Sequence, residues 1–291
     1  MQRIVPNLWF DHTAAEAADY YQMVFPDTRV VETVHYPTEG LLDFQQEFAG
    51  DVLTVAFELR GYRLLAINAG PEVRPNPSIS FMVNFPADQR ERLNESWEAL
   101  VDGGEVRLPL GEYPYSGWYG WVQDRYGVNW QLCLLPEGSS GAFIVPNLMF
   151  TEAVRGRAGE AIDFYTSVFD GQVNALFRYQ EPTELADAGS VQFADFQLLG
   201  QTFAAMDAPV PQGFTFNFGV SFMVSCVDQA ELDRYWGQLS KVPEAEQCGW
   251  CADQFGVSWQ IVPADLDRLM SKPGAYEKLM RMKKIEVAAF G

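Results

Sequence analysis

The chain is short of the residues that carry metal, redox and phosphate chemistry. It holds 2 histidines, 4 cysteines and 20 basic residues against 39 acidic ones in 291 positions. So few histidines leave no material for a His-based metal centre or a Ser-His-Asp triad in each half of the chain. Cys133, Cys226, Cys248 and Cys251 are too few for a disulfide scaffold in a protein of this size, which agrees with a reducing compartment. The formal net charge is -19, and all five lysines lie in the second half. A field of that sign repels phosphate backbones and anionic lipid, so no nucleic acid and no membrane partner is expected. No stretch approaches the roughly 20 apolar residues of a membrane span, and the opening MQRIVPNLWFDH has no signal-peptide core. A cytoplasmic protein is the expectation. GxGxxG and P-loop patterns are missing as well.

What is present is a repeat. IVPNLWF at Ile4 to Phe10 returns as IVPNLMF at Ile144 to Phe150, and DRYGVNWQL at Asp124 to Leu132 returns as DQFGVSWQI at Asp253 to Ile261. Between these anchors AEAADYYQMVF matches GEAIDFYTSVF, and SFMV occurs at Ser80 to Val83 and again at Ser221 to Val224. The period of about 140 residues is far above that of solenoids, so each copy is large enough for a core of its own. Two domains are read, 1–137 and 142–291, joined by the Pro-, Gly- and Ser-bearing LLPEGSSGAF. The simplest arrangement is a covalent homodimer with approximate twofold symmetry.

Each copy reads as strand, helix and three strands, twice over. In the first copy Arg3 to Phe10 is a strand and Thr13 to Val24 a helix, with Thr13 and Glu16 spaced as a capping box. Strands follow at Thr28 to Tyr36, Val52 to Leu59 and Tyr62 to Asn68, the last two joined at Arg60 and Gly61. A second cycle starts at Ile79, with a helix from Ala87 to Val101 that stops at Gly103 and Gly104. The C-terminal stretch is read as a short helix, then a helix followed by an apolar strand.

The combination P-N-L-W-F-D, A-E-A-A-D-Y-Y, S-x-S-F-M-V, Q-C-G-W and D-x-[YF]-G-V-x-W-Q resembles the PhnB-like branch of the glyoxalase, bleomycin-resistance and extradiol-dioxygenase group, the vicinal oxygen chelate superfamily. The resemblance covers nearly the whole chain twice. It implies an α+β fold of tandem glyoxalase-like domains, four βαβββ modules with curved, mostly antiparallel sheets around clefts. In enzyme members four side chains on the concave face hold a divalent metal. Carried onto this sequence, those positions fall on Pro6, Val55, Ser78 and Gln131 in the first copy and on Pro146, Ala194, Gly219 and Gln260 in the second. Proline and valine have no donor atom, and a single glutamine amide is too weak to hold zinc, iron or manganese. No metal and no cofactor is therefore expected.

His12, beside Asp11 at the turn into the first helix, suits a capping or solvent role. His35, at the end of a strand bordering the cleft, is a weak candidate for a lone acid/base. Cys248-Gly-Trp-Cys251 has CxxC spacing but falls in a predicted strand or turn, where the two thiols point apart. Trp130 and Trp259 read as core, while Trp118 and Trp121 are either cleft walls or core. A methyltransferase label attached to relatives of this branch finds no glycine-rich strand-to-helix turn here.

The expectation is a metal-independent small-molecule-binding protein. Its first cleft would be lined by Leu8, Phe10, Val55, Phe57, Ser78, Ser80, Asn129 and Gln131, and its second by Leu148, Phe150, Phe196, Ser221, Ser258 and Gln260. Acidic charge favours a neutral or cationic ligand. The alternative is a lyase, isomerase or dioxygenase of the same superfamily with a displaced metal site or His35 as acid/base, and a third reading makes one copy purely structural. A further homodimer is possible on either view.

Overall fold

Runs of apolar and β-branched residues bounded by turns become strands throughout a computed structural model that describes residues 2–25 and 27–291. The first copy gives β1 (Ile4–Phe10), α1 (Ala14–Val24), β2 (Thr28–His35), β3 (Val52–Leu59) and β4 (Tyr62–Asn68). It continues with β5 (Ile79–Phe85), α2 (Arg90–Val101), β6 (Glu105–Tyr113), β7 (Ser116–Gln123) and β8 (Asn129–Leu134). The second copy opens with β9 (Ile144–Phe150), α3 (Ala158–Val168), β10 (Gln172–Arg178), β11 (Val191–Leu198) and β12 (Gln201–Asp207). It ends with β13 (Val220–Cys226), α4 (Gln229–Leu239), β14 (Trp250–Ala252), β15 (Ser258–Pro263), α5 (Leu266–Met270) and α6 (Ala275–Met280). The fold is α+β with glyoxalase-like modules.

The sheets do not follow the repeat. One has the order β14-β15-β13-β1-β4-β3-β2 and the other β10-β11-β12-β9-β5-β8-β7-β6. Each is built from the first module of one copy and the second module of the other, joined by antiparallel β1–β13 in one case and β5–β9 in the other. The expectation that each copy carries its own sheet is thus corrected, and each concave face is shared between the copies. The same registers recur at the two seams: Asn7 faces Ser221, and Asn147 faces Ser80. Parallel pairing is confined to β1–β4, β9–β12, β13–β15 and β5–β8, and the other pairings described are antiparallel.

Three local expectations also change. Thr13 makes no side-chain cap. Instead Asn68, at the end of β4, accepts from the Ala14 amide at 2.9 Å, and Asp207 does the same for Ala158 in the second copy at 3.1 Å. Because these acceptors come from a neighbouring strand, the local sequence cannot show them. Among the described residues the fourth module has no counterpart of β6, so this module is βαββ, and α5 and α6 follow its last strand β15. The C-terminal apolar segment forms no strand and closes with a 3-10 turn at Val287–Phe290.

Both helix layers pack on one continuous apolar core in which Trp130, Trp259, Tyr21 and Tyr165 are fully buried. Each copy has a buried carboxylate at its centre. Asp124 accepts from Tyr21 Oη and Trp130 Nε1, both at 2.8 Å, and from the Tyr126 and Val128 amides. Asp253 repeats the arrangement with Tyr165, Trp259, Phe255 and Val257. Four donors on each carboxylate give a physical reason for the Asp, Val and Trp that D-x-[YF]-G-V-x-W keeps in both copies.

Candidate functional site

A cavity of about 1370 Å³ lies on the concave face of the first sheet. Alternation along β1 sends Val5, Asn7 and Trp9 into it and Ile4, Leu8 and Phe10 into the core beneath α1. This inverts the expected parity of β1. Val55 and Phe57 are likewise in the core, while Thr54, Ala56 and Glu58 face the cavity. In the other sheet Leu148, Phe150 and Phe196 are core residues too. The inversion has a physical source: IVPNLWF is buried on both faces except at Trp9, so its hydrophobic pattern does not distinguish the faces.

The floor is polar and small. Asn7 on β1, Ser221 on β13, and Ser258 and Gln260 on β15 sit on adjacent strands of the concave face. Gln260 Nε2 donates to Ser221 Oγ at 2.9 Å. Asn7 is 1% exposed, and neither its Oδ1 nor its Nδ2 has a hydrogen-bond partner among the described residues. Pro6, the position carried onto β1 by the resemblance, does not line the cavity, and the recurring PNL triplet is the sequence signal for Asn7.

Aromatic and sulfur-bearing side chains make the walls. Trp9 meets Phe218 and Trp250 edge to face, at centroid distances of 5.2 and 5.9 Å, and its indole nitrogen is fixed by the Gly70 carbonyl at 2.7 Å. Met270, Tyr276 and Met280 of the C-terminal helices close the far side. Glu32, Glu58, Glu244 and Asp267 stand against Arg63 and His35 around the cavity, and Arg63 is paired with Glu32 at 3.2 Å. His35 is exposed at the mouth. Tyr36 is buried beside it, donates to the Asn68 carbonyl, and has its phenol pushed up to about 12 by burial. Cys248 also lines the cavity, and burial pushes its thiol up to about 12, which keeps it protonated. Its CxxC partner Cys251 points into the core.

The remaining predicted residues belong to the second sheet. Gln131 Nε2 donates to Ser80 Oγ at 2.7 Å, and Tyr119 Oη donates to Gln131 Oε1 at 2.7 Å. Trp121 lies beside them with Nε1 on Asn129 Oδ1 at 3.3 Å. Ser78 precedes β5, its carbonyl accepting from the Met149 amide. Trp118 faces the helix side instead, under the Arg90 guanidinium and bonded to Asn94 on α2. Residues assigned to one first-copy cleft are therefore divided between two sheets. Of the sixteen candidates, Ser258 and Gln260 line the cavity, with Ser221 held directly against Gln260.

A family model described as 3-demethylubiquinone-9 3-methyltransferase matches residues 2–133 and 142–262. The chain belongs to that family. The match occurs twice in tandem, once in each half of the chain. Among solved structures, glyoxalase I from Zea mays is 11% identical, with 96% of this chain and 95% of that one aligned at a TM-score of 0.56. That likeness concerns the fold. A putative 3-demethylubiquinone-9 3-methyltransferase, PhnB protein, from Bacillus cereus is 28% identical over 46% of this chain and 100% of its own, at a TM-score of 0.40. None of the proteins of curated function matches the sequence.

Neither the divalent metal that the sequence resemblance implies nor the methyl-donor cofactor that the family's description suggests fits the residues present. On the four central strands the concave face of the first sheet offers Asn7, Leu65, Ser221 and Gln260, and that of the second offers Asn147, Ala204, Ser80 and Gln131. Neutral amides and hydroxyls beside an aliphatic side chain are a poor donor set for a divalent transition metal. No group of three or more His, Cys, Asp or Glu able to hold a metal occurs among the described residues. A methyl-donor cofactor of the common type needs a glycine-rich turn from strand to helix. The turn after β1 is Asp11-His12-Thr13, and after β9 the chain passes through the 3-10 turn Glu152–Val154.

Proposed function

We propose that the protein is a metal-independent small-molecule-binding protein whose ligand occupies the cavity of the first sheet. The observation that carries this reading is the cavity floor. Asn7, Ser258 and Gln260 offer hydrogen bonds without a charge, and Asn7 has none of its own satisfied. Trp9, Trp250 and Phe218 would bury the apolar body of the ligand, while the floor orients it. The acidic side chains around the cavity favour a neutral or cationic ligand over an anion. The alternative of an enzyme using His35 has less support, because His35 stands exposed at the mouth, away from the buried floor.

The protein is read as a covalent pseudo-dimer working in the cytoplasm. All four cysteines are free, and no helix among the described residues is long and apolar enough to cross a membrane. Metal analysis of purified protein tests the metal-free reading: a divalent ion bound stoichiometrically would sink it. For binding, quenching of tryptophan fluorescence against a panel of neutral and cationic aromatic compounds is the measurement. Gln260→Ala should weaken binding about tenfold while leaving the circular dichroism spectrum unchanged; an unfolded variant would mark Gln260 as a packing residue.

A further inference from the structure

The two concave faces share a floor but not a roof. Tyr119 and Cys248 hold the same place in the repeat, each five residues before the buried aspartate, Asp124 or Asp253. In the second sheet β7 runs its full length beside β6, and the Tyr119 ring lies over the floor. It is 8% exposed and flanked by Tyr113 and Tyr115 at 5.9 and 5.5 Å. Its hydroxyl completes the Gln131 carboxamide, whose nitrogen already holds Ser80.

In the first sheet that ring is missing. Gln247, Cys248, Gly249 and Trp250 form a two-residue hairpin turn, with positive φ of 42° at Cys248 and 90° at Gly249, which cuts β14 short. The Cys248 and Gly249 amides bond to Met282 and Lys283 of the C-terminal segment, at 2.7 Å each, where a longer hairpin would otherwise continue. Gln260 Nε2 still holds Ser221, as its counterpart holds Ser80. Its Oε1 accepts nothing from the described residues, and Gln260 lines the cavity. Asn147 reaches Ser80 at 3.5 Å, whereas the Asn7 side chain has no partner among the described residues.

Resting on the binding reading above, we infer that Tyr119 is a built-in occupant of the second site, and that the first site takes a ligand resembling it. That ligand is an aromatic ring carrying a hydroxyl or N–H group, which donates to Gln260 Oε1 while the ring lies between Trp250 and the C-terminal helices. Each chain then has one working site, made by the first module of one copy and the second module of the other.

Titration of the full chain with 2-naphthol, a fluorescent phenol, against 2-methoxynaphthalene, which has the same ring and no donor, tests this. Wild type should bind one 2-naphthol per chain, about tenfold tighter than the ether, and Gln260→Leu should remove that preference. Tyr119→Ala should raise the stoichiometry to two, while Tyr119→Phe, which keeps the ring, should leave it at one. Equal affinity for the two compounds, or two sites in wild type, would overturn the inference and leave the binding reading standing. A folded Tyr119→Ala with one site would do the same. Failure of both compounds to bind wild type would count against the cavity as an aromatic-binding site and so against both. Should Tyr119→Ala fail to fold, the wild-type and Gln260→Leu comparison still decides.

Discussion

Asp124 shows how one residue can hold a motif together. Burial raises its carboxyl to about 6, against the lowering effect of the hydrogen bonds from Trp130, Tyr21, Tyr126 and Val128. A raised value in the folded state means that folding favours the proton. Its contribution to stability is therefore full below about pH 4, the unfolded value, and lost as pH rises through about 6. Between those limits wild type should lose on the order of 3 kcal/mol relative to Asp124→Asn, whose side chain does not titrate. Urea unfolding of both proteins from pH 4 to 7 measures that difference. Asn7 should behave in the opposite sense to a structural polar residue. Because its carboxamide is buried without partners, Asn7→Leu should stabilise the fold by about 1–2 kcal/mol while weakening ligand binding, as read by thermal melts and fluorescence titration.

The element that most changes the molecule is the turn before β14. Its CxxC spacing invites a redox or zinc reading, but positive φ at Cys248 and Gly249 makes it a hairpin turn with one thiol in the cavity and the other in the core. A Cβ at Gly249 would lie 2.9 Å from Ile285 Cδ1 and 3.1 Å from the Ile261 carbonyl. Gly249→Ala should therefore cost about 1–3 kcal/mol and displace the C-terminal segment, visible as a lower melting temperature together with weaker ligand binding. Strand β1 teaches a different lesson. Its existence and length follow from IVPNLWF, but its orientation does not, since both faces are covered.

Both sheets are seamed between the copies, through β1–β13 and β5–β9, so neither half of the chain holds a complete sheet. Residues 1–137 and 142–291 produced separately should each expose the unpaired edges of β1 and β5, or of β9 and β13, and should self-associate. Mixed during refolding, they should form a one-to-one complex, and light scattering coupled to size exclusion distinguishes these outcomes; two stable monomers would contradict the seam.

Much of this architecture was legible in the chain before folding. The repeat, the strand-helix-strand order, the buried Trp130 and Trp259 and the polar Ser258 and Gln260 all follow from local pattern, because periodicity and turn residues act over a few neighbours. Three things depended on the folded whole: which module pairs with which, which face of β1 meets the cavity, and which of two equivalent floors is left open. Each is set by tertiary contacts, such as Asn7 with Ser221 across the seam or the C-terminal segment with the Cys248 turn, and copies that share their anchor motifs satisfy the same local rules whichever partner they take.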